Sequence, residues 1–171
     1  MPTKRIQLTL FVDPAESAPI EAVRRQYNPE QFALIAAHVT LCREDELALL
    51  EPILHRLRTD TPSALALHFG PPCRFSEGKG VWLPARDEQG DFQALRARVL
   101  QDVTGHPRPQ APHITLLHPR NATCTDESFA AIAQTAFPQR IVFRKISLIE
   151  QEAGRAWEVL QEIDLIPIRH P

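Results

Sequence analysis

The sequence predicts an α+β fold of two pseudo-symmetric lobes, and three observations predict it. The phrase His38-Val39-Thr40-Leu41 returns 75 residues later as His113-Ile114-Thr115-Leu116. The only two tryptophans, Trp82 and Trp157, stand at the same interval, each 44 residues beyond its histidine. Between these landmarks, apolar runs with a period of two alternate with runs whose apolar residues recur every three or four positions, so strands and helices interleave. The unit is strand, helix, His/Thr strand, helix, strand, used twice, with one further strand to close the second copy. A 75-residue period is too long for a solenoid. Two such units packed about a pseudo-twofold axis make residues 1–171 a single domain of two lobes, and a cleft between lobes is a favoured ligand site.

Taken in order, Ile6 to Val12 alternates as a strand and is closed by Asp13-Pro14. Ala15 to Tyr27 follows as a helix, with Ile20, Val23 and Tyr27 on one face, and Asn28-Pro29 ends it. His38 to Leu41 is the first His/Thr strand. Glu44 to Leu57 is the clearest amphipathic helix, carrying Leu47, Leu50, Ile53, Leu54 and Leu57 on one side. Its Pro52 marks either a kink or a late start. Ala64 to Phe69 is a strand, Pro71-Pro72 interrupts, and Cys73-Arg74-Phe75 leads through the turn Glu77-Gly78-Lys79-Gly80 into Val81-Trp82-Leu83. Asp91 to Val103 is a helix stopped by Thr104-Gly105. After the second His/Thr strand come a helix over Asp126 to Thr135 and two strands, Ile141 to Ile149 and Trp157 to Leu165.

At 171 residues, 43% apolar and 23% charged, the chain has the composition of an ordinary globular domain with a substantial core. A net charge of −2 excludes a broad basic face, so contact with nucleic acid must be local. No run is long enough for a membrane span, and the apolar stretch after Met1 is too short for a signal peptide. Cys42, Cys73 and Cys124 lack C-x-x-C spacing, which points to reduced thiols in the cytoplasm rather than a disulfide framework or zinc site. A monomer is expected.

On a strand, alternate side chains share a face. His38 and Thr40 therefore point one way and Val39 and Leu41 the other, and the second copy repeats this. Cleaving a phosphodiester needs one proton taken from the attacking oxygen and another given to the leaving oxygen. Histidine has the pKa to do both near neutrality. Two of them on opposite sides of a phosphorus serve an in-line displacement, while threonine hydroxyls hydrogen-bond the non-bridging oxygens. This logic requires neither metal nor cofactor.

The two phrases match the H-x-[ST]-x signature, and the sequence resembles the two-histidine (2H) phosphoesterases, which include 2′-5′ RNA ligase-like proteins and RNA cyclic phosphodiesterases. The resemblance covers essentially the whole chain. It implies a bilobal pair of antiparallel-rich sheets flanked by helices, with both motifs lining the central cleft. It also implies a metal-independent phosphodiesterase acting on 2′,3′-cyclic phosphates, RNA ends or 2′-5′ linkages, and it leaves room for ligase activity. His38 and His113 would be acid and base in an order set by the substrate's direction of binding, with Thr40 and Thr115 as phosphate binders. The expected partner is a small phosphodiester or an RNA end, without an extended nucleic-acid surface.

Arg43 and Arg120 follow the two motifs and are candidate phosphate clamps, against the alternative of solvated strand-end arginines. His118 lies five residues past His113, so an unbroken strand would turn it to the opposite face, and Pro119 signals the strand's end. Phe11 and Trp82 could stack a base, but core packing is the preferred reading of both because the tryptophans mirror each other, and Lys79 reads as an exposed turn lysine. Two other functions compete: a nucleotide or RNA-end binding protein that uses the same cleft without turnover, and a metal hydrolase built on His38, His113 and His118. The second lacks His-x-x-x-His or close carboxylate spacing.

Overall fold

The computed structural model describes residues 2–169. Its elements follow the expected order, with boundaries that differ for physical reasons. Strand β1 (Lys4–Phe11) leads into helix α1 (Pro14–Tyr27), whose first turn is capped by Asp13 accepting from the Ala15 N–H at 2.9 Å. Asn28-Pro29 ends α1 but does not end helical structure. Pro29 takes the first position of a short helix, α2 (Pro29–Leu34), where its missing N–H costs nothing. Strand β2 is His38–Cys42. The helix expected from Glu44 is instead a 3-10 turn at Glu44–Glu46 followed by α3 (Leu50–Thr59), so Pro52 sits in a first turn and marks a late start.

Strand β3 (Leu65–Phe69) precedes the hairpin of β4 (Cys73–Phe75) and β5 (Gly80–Arg86). Ser76, Glu77 and Gly78 of its turn all have positive φ. Helix α4 (Asp91–Leu100), strand β6 (His113–Leu117) and helix α5 (Asp126–Ala133) follow, both helices shorter than their sequence patterns at the C-terminal end. The single strand expected over Ile141 to Ile149 is two, β7 (Arg140–Phe143) and β8 (Lys145–Glu152). They separate at Arg144 because β7 pairs with β3 whereas β8 pairs with β1. β9 (Glu158–Asp164) closes the chain.

Among the described residues the strands form a sheet ordered β7-β3-β5-β6-β2-β1-β8-β9, with β4 on β5 and every strand-to-strand pairing antiparallel. The two halves, β7-β3-β5-β6 and β2-β1-β8-β9, meet at the β2–β6 seam, where Val39 pairs with Ile114. The spatial halves are not the sequence halves. One draws its strands from both ends of the chain, and the other takes them from between β3 and β7. The pairing register also refines the internal repeat. Leu8 pairs with Cys42 and Val81 with Leu117, and both ladders carry a register shift at the next residue. β1 thus corresponds to β5 at an interval of 73, not the 75 that relates β2 to β6. Trp82 therefore lies across from Thr115, in the place where Thr9 lies across from Thr40.

Period-two patterning sets the core. Val39, Leu41, Ile114 and Leu116 are at most 1% exposed and pack with Leu8, Leu10 and Leu83. Ile20 and Val23 of α1 and Phe92 and Val99 of α4 complete that layer. Each fully buried side chain of this kind contributes about 1.5–3 kcal/mol. The opposite face of β2 and β6 carries the half-buried His38, Thr40, His113 and Thr115. No helix among the described residues is long and apolar enough to cross a membrane.

Candidate active site

Each histidine is preceded by a segment that one helix holds from behind. Arg24 of α1 is 2% exposed; it donates to the Ile35 carbonyl at 2.6 Å and pairs with Glu21 at 2.5 Å. Glu21 in turn accepts from the Ala37 N–H at 3.0 Å, so the approach to His38 is pinned on both sides. In the other half, Arg96 of α4 is 1% exposed. It donates to the Leu41 carbonyl, to the Arg108 carbonyl at 3.0 Å and to Glu46 at 2.6 and 3.2 Å. Gln93 donates to the Gln110 carbonyl at 2.5 Å, and Gln110 crosses the seam to donate to the Thr40 carbonyl at 2.8 Å. A buried arginine on each helix therefore fixes the backbone beside each motif.

The imidazoles are set alike. Nδ1 of His38 lies 2.8 Å from the Ala36 carbonyl oxygen and Nδ1 of His113 lies 2.9 Å from that of Ala111. A carbonyl only accepts, so Nδ1 carries the proton and Nε2 of each neutral ring is left as the basic nitrogen. Burial pushes the His38 pKa down to about 4 against the pull of the Ala36 carbonyl, with the charges of Arg24 and His113 adding to the depression. The His113 pKa is lowered by burial and by the charge of Arg43, while its Ala111 contact opposes the change. The two motif strands adjoin at the β2–β6 seam, which brings the charge of His113 to bear on His38.

The surroundings are less symmetric. The Thr40 hydroxyl accepts from Gln7 Nε2 at 3.1 Å, and the same amide donates to Thr9 Oγ1 at 2.6 Å. With a lone pair of its oxygen occupied, the Thr40 proton is free to be donated. Phe11 meets His38 edge-on at 6.0 Å, whereas Trp82 lies against His113 at 4.5 Å and is itself stacked on Phe75 at 4.3 Å. Gly80 permits that stack, since a Cβ there would fall 2.5 Å from the Phe75 ring. Trp82, expected in the core, is instead half-buried beside a motif histidine. Trp157, its partner in the sequence repeat, is elsewhere, against Arg5 and hydrogen-bonded to Leu34.

Arg43 lines a cavity of about 290 Å³ beside His113, together with Trp82, Gln110 and Arg108. Arg120 does not. Its guanidinium lies on the His118 ring, with Nη2 3.1 Å from Nε2 and Nε 3.3 Å from Nδ1. His118 falls just past the end of β6, its backbone held by Asn28 Oδ1 at 2.8 Å. Burial and the charges of Arg120 and His113 push its pKa down to about 4. It occupies the place in the second motif that Arg43 occupies in the first. Cys42 is buried next to the motif, and burial drives its thiol up to about 12, which removes it as a nucleophile. Among the described residues no three His, Cys, Asp or Glu side chains gather as a metal site.

Sequence reasoning missed the two buried arginines. The signal was present: Arg24 lies four residues after Ile20, and Arg96 four after Phe92 and four before Leu100, so each interrupts an apolar stripe.

The model of the 2′-5′ RNA ligase superfamily matches residues 11–155. A comparison with curated protein sequences finds no match. Among solved structures, E. coli LigT complexed with NADP+ superposes with a TM-score of 0.65 at 19% identity, covering 97% of this chain and 99% of LigT. A crystal structure of a phosphoesterase gives 0.65 at 15% identity over 96% and 99% of the two chains. The TT0787 protein of Thermus thermophilus gives 0.64 at 17% over 96% and 100%. At these identities the likeness establishes the fold.

Proposed function

The chain belongs to the 2′-5′ RNA ligase superfamily, and from that premise we propose that it is a phosphodiesterase acting on a nucleotide or RNA-end phosphodiester, such as a 2′,3′-cyclic phosphate or a 2′-5′ linkage. Membership supports activity of the phosphoesterase type. The observation that carries the finer reading is the matched pair of imidazoles, each with Nδ1 engaged by its own strand and Nε2 left for proton transfer. LigT has been crystallised with NADP+, ATP and 3′-AMP, and a cleft of the same fold suits a nucleotide here.

For a 2′,3′-cyclic phosphate, His38 Nε2 accepts a proton from water as the water oxygen bonds to phosphorus. His113 gives its Nε2 proton to the departing ribose oxygen as that P–O bond breaks. The ring opens to a phosphomonoester, and the histidines end with exchanged protonation states. His38 suits the base because burial keeps it neutral. His113 suits the acid because the Trp82 face stabilises an imidazolium, and an incoming phosphate anion raises its pKa. Thr40, aligned by Gln7, and Thr115 donate to the non-bridging oxygens, while Arg43 supplies charge from the neighbouring cavity. Arg120 acts by way of His118. None of these steps calls on a metal ion.

The test is turnover of a 2′,3′-cyclic nucleotide and a 2′-5′-linked dinucleotide, with and without chelator. Wild-type protein should be active and insensitive to chelation, and His38→Ala or His113→Ala should each lower kcat by about 10²–10⁴-fold. Full activity in either variant would refute the assignment. Binding without turnover would leave a nucleotide-binding protein, and loss on chelation a metal hydrolase.

A further inference from the structure

A cavity larger than the one beside His113 lies away from the histidines. β3 stays beside β5 for only two pairs, His68 with Arg86 and Phe69 with Ala85, while it pairs with β7 over four. Where β3 parts from β5, a cavity of about 1010 Å³ opens, bounded by β3, the segment after β5, α4 and residues 166–168. Arg86, His68 and Arg140 are in register across three adjacent strands, so they stand as one row on one face and border this cavity. The two guanidinium-bearing residues flank His68 from the neighbouring strands, with backbones roughly 10 Å apart. Among the described residues, none of the three makes an ion pair or a side-chain hydrogen bond.

The acids of the same cavity do not neutralise the row. Asp87 is spent on the first turn of α4, accepting from the N–H groups of Phe92 at 2.9 Å and Gln93 at 3.2 Å. Asp91 stands in that same first turn, where the helix dipole favours an acid, and Glu88 is exposed on the loop. Leu65, Leu95 and Ile168 give the cavity an apolar side. The row itself shares the histidines' face of the sheet, while Leu65 and α4 border the cavity from the core face. Trp82, Pro84 and Arg86 alternate along β5, Trp82 pairing with Thr115 and Pro84 with His113. With a strand rise of about 3.3 Å and a strand spacing of about 4.8 Å, the row lies roughly 8–16 Å from His113. A single nucleotide held between the histidines would reach at most the near end of the row, at Arg86, and not Arg140 roughly 16 Å away.

We propose that this cavity and the Arg86–His68–Arg140 row form a second subsite, which binds the backbone phosphates and a base or ribose of the nucleotides flanking the reacting phosphodiester. It deepens the phosphodiesterase reading and rests on it for the identity of the reacting group. The substrate is then an oligonucleotide, gripped locally as the chain's net charge of −2 demands. The same phosphate chemistry could come from the polyphosphate tail of a single nucleotide, so the test carries an arm for each.

The variant is Arg86→Gln/Arg140→Gln, with Arg58→Gln/Arg144→Gln as a charge-matched control away from the cavity. With a short oligoribonucleotide ending in a 2′,3′-cyclic phosphate and with a cyclic mononucleotide as substrates, the double variant should raise KM for the oligonucleotide about tenfold relative to the mononucleotide, while kcat for the oligonucleotide holds. Fluorescence anisotropy of a labelled oligonucleotide, in the His113→Ala background, should show the same loss. The magnitude of the slope of log K against log salt should fall by about 1.4, or 0.7 for each phosphate contact removed. Equal KM changes for both substrates, or an equal loss in the control, overturn the subsite. A nucleoside triphosphate that competes as well as the oligonucleotide overturns the oligonucleotide reading in favour of a polyphosphate. The binding arm also separates the two proposals. Row-dependent binding without turnover sinks the phosphodiesterase and keeps the subsite, whereas turnover insensitive to the row does the reverse.

Discussion

Arg96→Met tests whether the buried arginine of α4 holds the seam between the motifs. Arg96 neutralises Glu46, which is only 11% exposed, and satisfies the carbonyls of Leu41 and Arg108. Breaking a buried pair by removing one partner costs about 3–5 kcal/mol. Against this, Arg96 Nε has no hydrogen-bond partner, so its removal relieves a desolvation cost of about 1 kcal/mol, and methionine refills much of the stem volume. The expected loss is therefore about 2–4 kcal/mol. In urea, with m of about 2 kcal/mol/M, the midpoint should fall by about 1–2 M.

Glu46 supplies the internal check. Burial pushes its carboxyl pKa up, but the Arg96 hydrogen bonds, the Arg43 N–H and the charges of Arg96 and Arg108 outweigh this and hold it below the usual range. Its contribution is complete above the unfolded pKa and is lost as pH falls through the lower folded value. Without Arg96 the burial effect dominates, so the gap between variant and wild type should narrow on acidification. Adding Glu46→Gln to Arg96→Met should recover at least about 1 kcal/mol by removing the stranded charge. A loss below about 1 kcal/mol in the single variant, or no recovery in the double, would refute the reasoning.

Four further outcomes follow from the site. The profile of kcat/KM against pH should be a bell centred on the acid side of pH 6.5, because it fails as pH falls below about 4, where His38 gains a proton, and again as pH rises through the lowered His113 value. A bell centred well above neutrality would refute the depressed histidines. Folding stability should drop by up to about 3 kcal/mol between pH 6.5 and 4 on account of His38, since the unfolded chain protonates first. His38→Gln should flatten that part of a pH-dependent urea series. Gln7→Ala should raise KM several-fold with a smaller change in kcat, because Thr40 loses the amide that orients its hydroxyl; an unchanged KM would remove Thr40 from phosphate binding. Gly80→Ala should slow turnover by driving Phe75 out of its stack on Trp82, and Gly80→Ala/Phe75→Ala should regain part of the rate. Failure of that rescue would show that the clash with Phe75 is not what slows the reaction.

Local pattern carried the sequence reading where structure is decided locally. Strand alternation placed His38, Thr40, His113 and Thr115 on one face opposite Val39, Leu41, Ile114 and Leu116, and the order of elements survived in the molecule. What was illegible depends on partners distant in sequence. Nothing between Ile141 and Ile149 announces that Arg144 divides two strands with different neighbours. Asn28-Pro29 carries the same signal whether it ends one helix or begins the next. The equal spacing of the tryptophans suggested equal roles, yet the two-residue offset between β1 and β5 put only Trp82 at a motif histidine. Arg24 and Arg96 interrupt apolar stripes, but the sequence does not name the carbonyls and carboxylates that other segments bring to them.

That two-residue offset has a consequence for the proposed phosphodiesterase. Two histidines related by a twofold axis make a palindrome, and a palindromic site would accept a chain in either polarity with acid and base interchanged. Placing an indole across from Thr115 where the other half presents only a threonine and its glutamine breaks the degeneracy. On the proposed oligonucleotide substrate, the two halves would thereby meet the two ends of the chain with unlike surroundings.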